Sequence, residues 1–253
     1  LIKNIVFKMK LYTRNIFISI SSFIMIICFE ILPGTILSKF GFTNISFLPK
    51  VLAESGSEYF DKASNSLAKR DYQNAILYGQ KGIDLFIKNG NQSDIKYSLI
   101  HTVIAVAKME SGDNEGAVDT LTKSIAINPD NYSYSLRGMA RQETKDYKGS
   151  IQDFTNAIKL YKGDDKKMKV DSFTKRGYVR LLSGDYKGAI QDYTVAIEIF
   201  PEASFYMLRG YNKYLIGDYK GNCEDIFIAE KIGTIDQNEI NKMKDNFKCL
   251  LFE

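Results

Sequence analysis

One turn recurs along this chain. It is clearest between Arg176 and Pro201, where Gly184-Asp185 interrupts two stretches of helical character. Glycine tolerates the left-handed backbone that closes a helix, and aspartate accepts the free amides that open the next one. Pro201 then stops the second helix. Aligned on that aspartate, the turn repeats at Asp71, Asp113, Asp146 and Asp218. Five such turns predict five helical hairpins.

The residues at fixed distances from each aspartate have packing reasons. Eight before it stand Ala63, Ala105, Gly138, Gly177 and Gly210, where a small residue lets the helices of one hairpin approach closely. Four after it come Ala75, Ala117, Ser150, Ala189 and Asn222, the opposite side of that contact. Eight after it, Gly79, Leu121, Phe154, Tyr193 and Ile226 are mostly large, as are Tyr59, His101, Tyr134, Phe173 and Tyr206 twelve before it. Eleven after it, Gly82, Ser124, Ala157, Ala196 and Ala229 leave room for the first helix of the following hairpin.

This pattern resembles the tetratricopeptide repeat, whose period is about 34 residues. The resemblance covers Glu54 to Gly233. It implies an all-α fold, a right-handed solenoid of stacked antiparallel helix pairs. Successive aspartates are 42, 33, 39 and 33 residues apart, so extra residues fall near Asn89 to Asp94 and Gly163 to Lys169, both polar and expected to be loops. The predicted pairs are Glu54 to Lys69 with Tyr72 to Phe86, Asp94 to Ser111 with Asn114 to Ile127, and Tyr132 to Thr144 with Tyr147 to Leu160. Val170 to Ser183 with Tyr186 to Phe200 and Ala203 to Ile216 with Tyr219 to Ile232 complete the five. Within residues 234–253, a single helix from Gln237 to Leu251 offers Ile240, Met243, Phe247 and Leu250 or Leu251 at helical spacing, and is expected to cap the last apolar face.

Arg137, Arg176 and Arg209 are each followed sixteen residues later by an acid, Asp153, Asp192 and Asp225. With the turn midway, that spacing predicts an Arg–Asp pair across each of the last three hairpins. The alternative is independent solvated charges.

Residues 1–53 differ from the rest. They hold six cations and one anion, which leaves 28 Lys and Arg against 29 Asp and Glu in residues 54–253. A nearly neutral repeat region argues against sequence-independent nucleic-acid binding, which needs a basic surface. The sequence opens at Leu1, with Met9 an alternative start. Ile16 to Phe29 is uncharged and rich in Ile and Phe, but at 14 residues it is shorter than the ~20 of a membrane span. Continuing to Leu37 reaches 22 residues and takes in Glu30 and Pro33-Gly34. A signal peptide or an uncleaved anchor is the expectation, with Val51-Leu52-Ala53 a small-residue cleavage signature. Cations ahead of the apolar run place the repeats outside the cytoplasm, at a membrane or in the cell envelope.

Three cysteines are present. Met25-Ile26-Ile27 before Cys28 lacks the small residue that lipid attachment requires. Cys223 and Cys249 either pair, if the domain is exported, or are two separate half-buried thiols.

Few residues suggest catalysis. His101, the one histidine, falls where other units carry Tyr or Phe and reads as a core substitute, so a Ser-His-Asp or Cys-His arrangement lacks its base. No metal-ligand cluster, cofactor motif or phosphate-binding loop is visible; the Lys-Gly steps at Lys148, Lys187 and Lys220 sit beside turns and match no nucleotide fingerprint. The chain reads as non-enzymatic, with no small-molecule substrate.

What remains is the surface of the array. In the family resembled, first helices line a concave groove that binds an extended peptide or helix of a partner protein. Those groove places here are Tyr132, Ser135, Met139 and Gln142, then Asp171, Thr174, Tyr178 and Leu181, then Ser204, Met207, Tyr211 and Tyr214. Tyr132, Met139, Tyr178, Leu181, Met207, Tyr211 and Tyr214 are the candidate contacts, since aromatics and Met make good anchors; the alternative is that some pack against the next helix. The Lys and Asn that grip a chaperone's C-terminal carboxylate in one sub-class are replaced by Phe60, Ser64, Thr102, Val106, Ser135 and Met139, so an apolar or aromatic peptide is the better fit. An interaction scaffold is the first reading. A self-associating structural protein, monomer and dimer both being open, is the second.

Overall fold

A computed structural model of the protein describes residues 55–162 and 166–249. The chain divides into two units, Leu1–Ala53 and Glu54–Glu253. The expected leader or anchor, Cys28, Leu250 and Leu251 lie outside the described residues. The second unit is built from consecutive helices: α1 (Gly56–Ala68), α2 (Tyr72–Lys88), α3 (Ile95–Glu110), α4 (Asn114–Ile127), α5 (Asn131–Glu143) and α6 (Tyr147–Leu160). α7 (Lys166–Leu182), α8 (Tyr186–Ile199), α9 (Ala203–Leu215), α10 (Tyr219–Ile232) and α11 (Gln237–Asn246) follow. Each helix packs most extensively on its sequence neighbour, and the result is an all-α solenoid. First helices also touch across units, α1 on α3 and α3 on α5. Among the described residues no helix is long and apolar enough to cross a membrane.

The recurring aspartate works as its chemistry dictates. Asp71, Asp113, Asp146, Asp185 and Asp218 each cap the second helix of a hairpin, their carboxylates accepting from the amide three residues on. The residue before each takes the left-handed conformation. Gly112, Gly184 and Gly217 do so at φ 91°, 81° and 84°, but Arg70 and Lys145 do so at 60° and 63°, where a side chain is unfavourable. The glycine of each Lys-Gly step is the amide donor itself: Gly149, Gly188 and Gly221 give their N–H to the capping carboxylate at 2.9–3.0 Å. A Cβ there would run into that carboxylate.

Packing inside the hairpins follows the size pattern. Gly138 and Gly177 lie so close to Phe154 and Tyr193 that an added Cβ would stand 3.1 and 3.2 Å from the rings. In unit one the large residue is missing. Gly79 stands where units three and four carry Phe154 and Tyr193, and Ile104 of α3 in the next unit fills the space beside it.

The structure corrects two boundaries. Lys166 to Lys169, expected as loop, form the first turn of α7. That segment is polar yet contains neither Gly nor Pro, and lysine is a good helix former, so polarity alone did not break the helix. The cap helix α11 ends at Asn246 rather than Leu251, because Lys248 turns to φ 54°. Its Ile240 is buried, and Met243 and Phe247 pack on the same cluster as Ile226 and Ala229. Cys223 and Cys249 are not separate thiols. They form a disulfide with Cα atoms 5.3 Å apart, both wholly buried, tying the end of the cap to α10.

Candidate functional site

The seven candidate contact residues fall on α5, α7 and α9, and the structure sorts them by exposure. Tyr132, Tyr178 and Tyr211 are 52%, 43% and 43% exposed, large aromatic surfaces that the fold leaves open to water. Met139 and Leu181 are half-buried beside them. Met207 packs against the C-terminal core cluster. Tyr214 serves the cap: its ring lies 4.7 Å from that of Phe247 and 5.4 Å from that of Tyr219. Tyr132, Tyr178 and Tyr211 are therefore the phenols left most open, whereas Met207 packs inward and Tyr214, still 36% exposed, rests against the cap.

The same three helices carry a repeated ionic network. Arg137 donates from Nε and Nη2 to the two oxygens of Asp153, at 3.0 and 2.8 Å. Arg176 with Asp192 and Arg209 with Asp225 repeat the fork, Nε at 3.0 Å and Nη2 at 2.6 Å in each. The three carboxylates are 1–2% exposed. Such burial is tolerable only with every lone pair engaged. A second cation completes each set: Arg141, Arg180 and Lys213 reach the same carboxylates at 2.9, 2.9 and 3.0 Å. Each first arginine also lies over an aromatic ring, of Tyr134, Phe173 or Tyr206, at 5.3–5.5 Å.

The same arginines reach backward between units. Nη1 of Arg137, Arg176 and Arg209 donates to Thr122, Thr155 and Thr194 at 3.0, 3.1 and 3.3 Å, each threonine on the preceding unit's second helix. The sixteen-residue spacing revealed the Arg–Asp pairs but not these partners. A basic residue four places after each arginine, and a threonine 15, 21 or 15 places before it, were the available signals. Units one and two lack the network. Between α3 and α4 of unit two a buried hydroxyl cluster takes over, with Ser124 Oγ 2.9 Å from Thr102 Oγ1 and 3.3 Å from Ser98 Oγ.

Two titratable groups are displaced by burial. His101, 6% exposed and edge-on to Tyr97 at 5.2 Å, has its pKa lowered to about 4, first by desolvation and then by the charge of Lys123. It behaves as a neutral core ring. Burial raises the Tyr193 phenol, with Asp192 adding to the effect, and its hydroxyl has no hydrogen-bond partner. Among the described residues no three His, Cys, Asp or Glu side chains gather in a way that could hold a metal ion.

No family model matches the chain, and no curated protein matches it in sequence. Solved structures do resemble it. A MamA protein is 19% identical, with 76% of this chain and 94% of that one covered at a TM-score of 0.59. MamA from Desulfovibrio magneticus RS-1 is 14% identical over 71% of this chain and 96% of that one, also at 0.59. YrrB, described as a TPR protein with an unusual peptide-binding site, is 13% identical over 80% of this chain and 98% of that one, at 0.64. With its capped helical hairpins stacked one on the next, the chain has the fold of a tetratricopeptide-repeat protein.

Proposed function

We propose that the protein is a non-catalytic interaction module that holds an extended peptide or helix of a partner protein along α5, α7 and α9. The observation that carries this reading is the row of exposed phenols, Tyr132, Tyr178 and Tyr211, on successive first helices. Half-exposed tyrosines give large contact area with little side-chain entropy to lose. The fold likeness to YrrB, for which a peptide-binding site is described, lends support. The ionic network on the same helices fastens successive units to one another, so the surface is presented preformed.

The reading includes export or membrane anchoring through residues 1–53. The Cys223–Cys249 bridge supports it, since such bonds persist in oxidising compartments. Photo-crosslinking in the native envelope, with a benzophenone amino acid at Ser135, tests both parts. The expected outcome is one dominant protein adduct, formed outside the cytoplasm and lost in the Tyr178→Ala, Tyr211→Ala double variant at unchanged melting temperature. Adducts insensitive to that variant would overturn the reading.

Self-association is the second reading. Four large apolar side chains left exposed on α2 and α3, Leu77, Ile87, Ile95 and Leu99, favour it. Light scattering on the full chain decides, because a strict monomer at high concentration removes its support.

A further inference from the structure

Tyr211, one of the three exposed phenols, also lines a cavity. At the end of the array α9, α10 and α11 border an open pocket of about 510 Å3, within the range of binding pockets. Met207 and Tyr211 on α9 line it, and Met243 on α11 and Phe247 just after that helix line it from the cap. Tyr211 thus belongs to both the open row and the cavity. The disulfide fixes that cap: Cys249 follows Phe247 by two residues, and Cys223 is the neighbour of Asn222.

Asn222 is the exceptional residue in the lining. It is 1% exposed, and its Nδ2 has no hydrogen-bond partner. The other units carry Ala75, Ala117, Ser150 and Ala189 at this place, and the Ser150 hydroxyl is satisfied by the Gly138 carbonyl at 2.7 Å. Only unit five buries an amide here, and Asn222 is one of the residues that line the cavity. An unpaired buried donor is unfavourable, and an acceptor entering the cavity would relieve it. Glu239, in the first turn of α11 and exposed, adds a carboxylate to the lining.

We propose that this cavity is an anchor pocket for an extended peptide: it takes one large apolar side chain, the peptide's backbone carbonyl accepts from Asn222 Nδ2, and an adjacent Lys or Arg faces Glu239. Each element of that occupant answers a feature of the lining. The apolar walls require a Phe, Leu or Met, the buried amide requires an acceptor, and the carboxylate favours a cation. A peptide supplies all three within two residues and continues along the phenol row. The inference rests on the peptide-binding reading and specifies where its energy is concentrated.

A random dodecapeptide display library selected on the immobilised full chain tests it, with the enriched sequences resynthesised and titrated. Asn222→Ala installs the residue three other units carry, so folding is preserved. Ser204→Trp fills the cavity from an exposed position, and Tyr178→Ala removes a contact outside it. The expected result is enrichment of Phe, Leu or Met beside Lys or Arg. Affinity should fall about tenfold in Asn222→Ala at an unchanged or higher Tm, the effect of one lost hydrogen bond. Ser204→Trp should abolish binding, and Glu239→Gln should remove the preference for a basic neighbour. Peptides weakened by Tyr178→Ala but unaffected by Asn222→Ala and Ser204→Trp would overturn the pocket and leave the groove standing. No enrichment at all would overturn both.

Discussion

Arg176 grips Asp192 with two parallel hydrogen bonds across the hairpin of its own unit, Nε to Oδ2 at 3.0 Å and Nη2 to Oδ1 at 2.6 Å. Its remaining nitrogen, Nη1, holds Thr155 of the unit before. One side chain therefore closes a hairpin and fastens it to its neighbour. Removing the carboxylate would strand both Arg176 and Arg180. Asp192→Ala should cost about 3 kcal/mol or more, whereas Thr155→Val should cost about 1 kcal/mol. Urea denaturation of both variants measures the difference, and equal losses would mean the pair is not the dominant contact.

The left-handed turn residue offers the opposite sign of change. Lys145 sits at φ 63° where Gly184 occupies the matching place at 81°. Lys145→Gly should stabilise the protein by about 1 kcal/mol, and Gly184→Ala should destabilise it by a similar amount. Thermal melts of the two variants should shift in opposite directions.

Tyr193 buries a hydroxyl that bonds to nothing, while unit three places Phe154 at the same position. Tyr193→Phe should leave the fold intact and raise stability by roughly 1 kcal/mol, the penalty of an unsatisfied buried donor. A lower Tm would show that the phenol has a partner.

His101 makes stability depend on acid. Its folded pKa of about 4 lies below the ordinary value of 6.5, so below pH 6.5 the unfolded chain binds a proton that the folded chain refuses. The histidine's contribution is fully present above pH 6.5 and is lost as pH falls toward 4. Replacing it as His101→Phe, the residue type found at Phe173, should flatten the stability profile in that window. Urea midpoints from pH 7 to pH 4 report the difference.

The Cys223–Cys249 bridge closes a loop across a sequence separation of 26 residues. Chain entropy gives such a link about 3 kcal/mol. Because units couple mainly to their neighbours, reduction should loosen α9 to α11 first. Hydrogen exchange after reduction should show protection lost there and kept in α3 to α8; uniform loss would mean the array unfolds as one body.

Much of this fold was legible because its causes are local. An aspartate that caps a helix, a left-handed residue before it, and small residues eight before and four after it act within one hairpin, where chain geometry fixes the distances. The Arg–Asp pairs were legible for the same reason, since a turn midway between Arg176 and Asp192 brings them opposite each other. What only the tertiary structure decided are contacts whose distance is not set by an offset. Thr155 meets Arg176 across an insertion that the first turn of α7 partly absorbs, and Tyr214 turns from the open row to Phe247 because the cap folds back onto it. Cys249 reaches Cys223, and Asn222 comes to line a cavity, only because α11 packs on α10 and α9. Short-range capping and hairpin packing were written in the sequence; the surface that a partner would meet arises where units and cap come together in space.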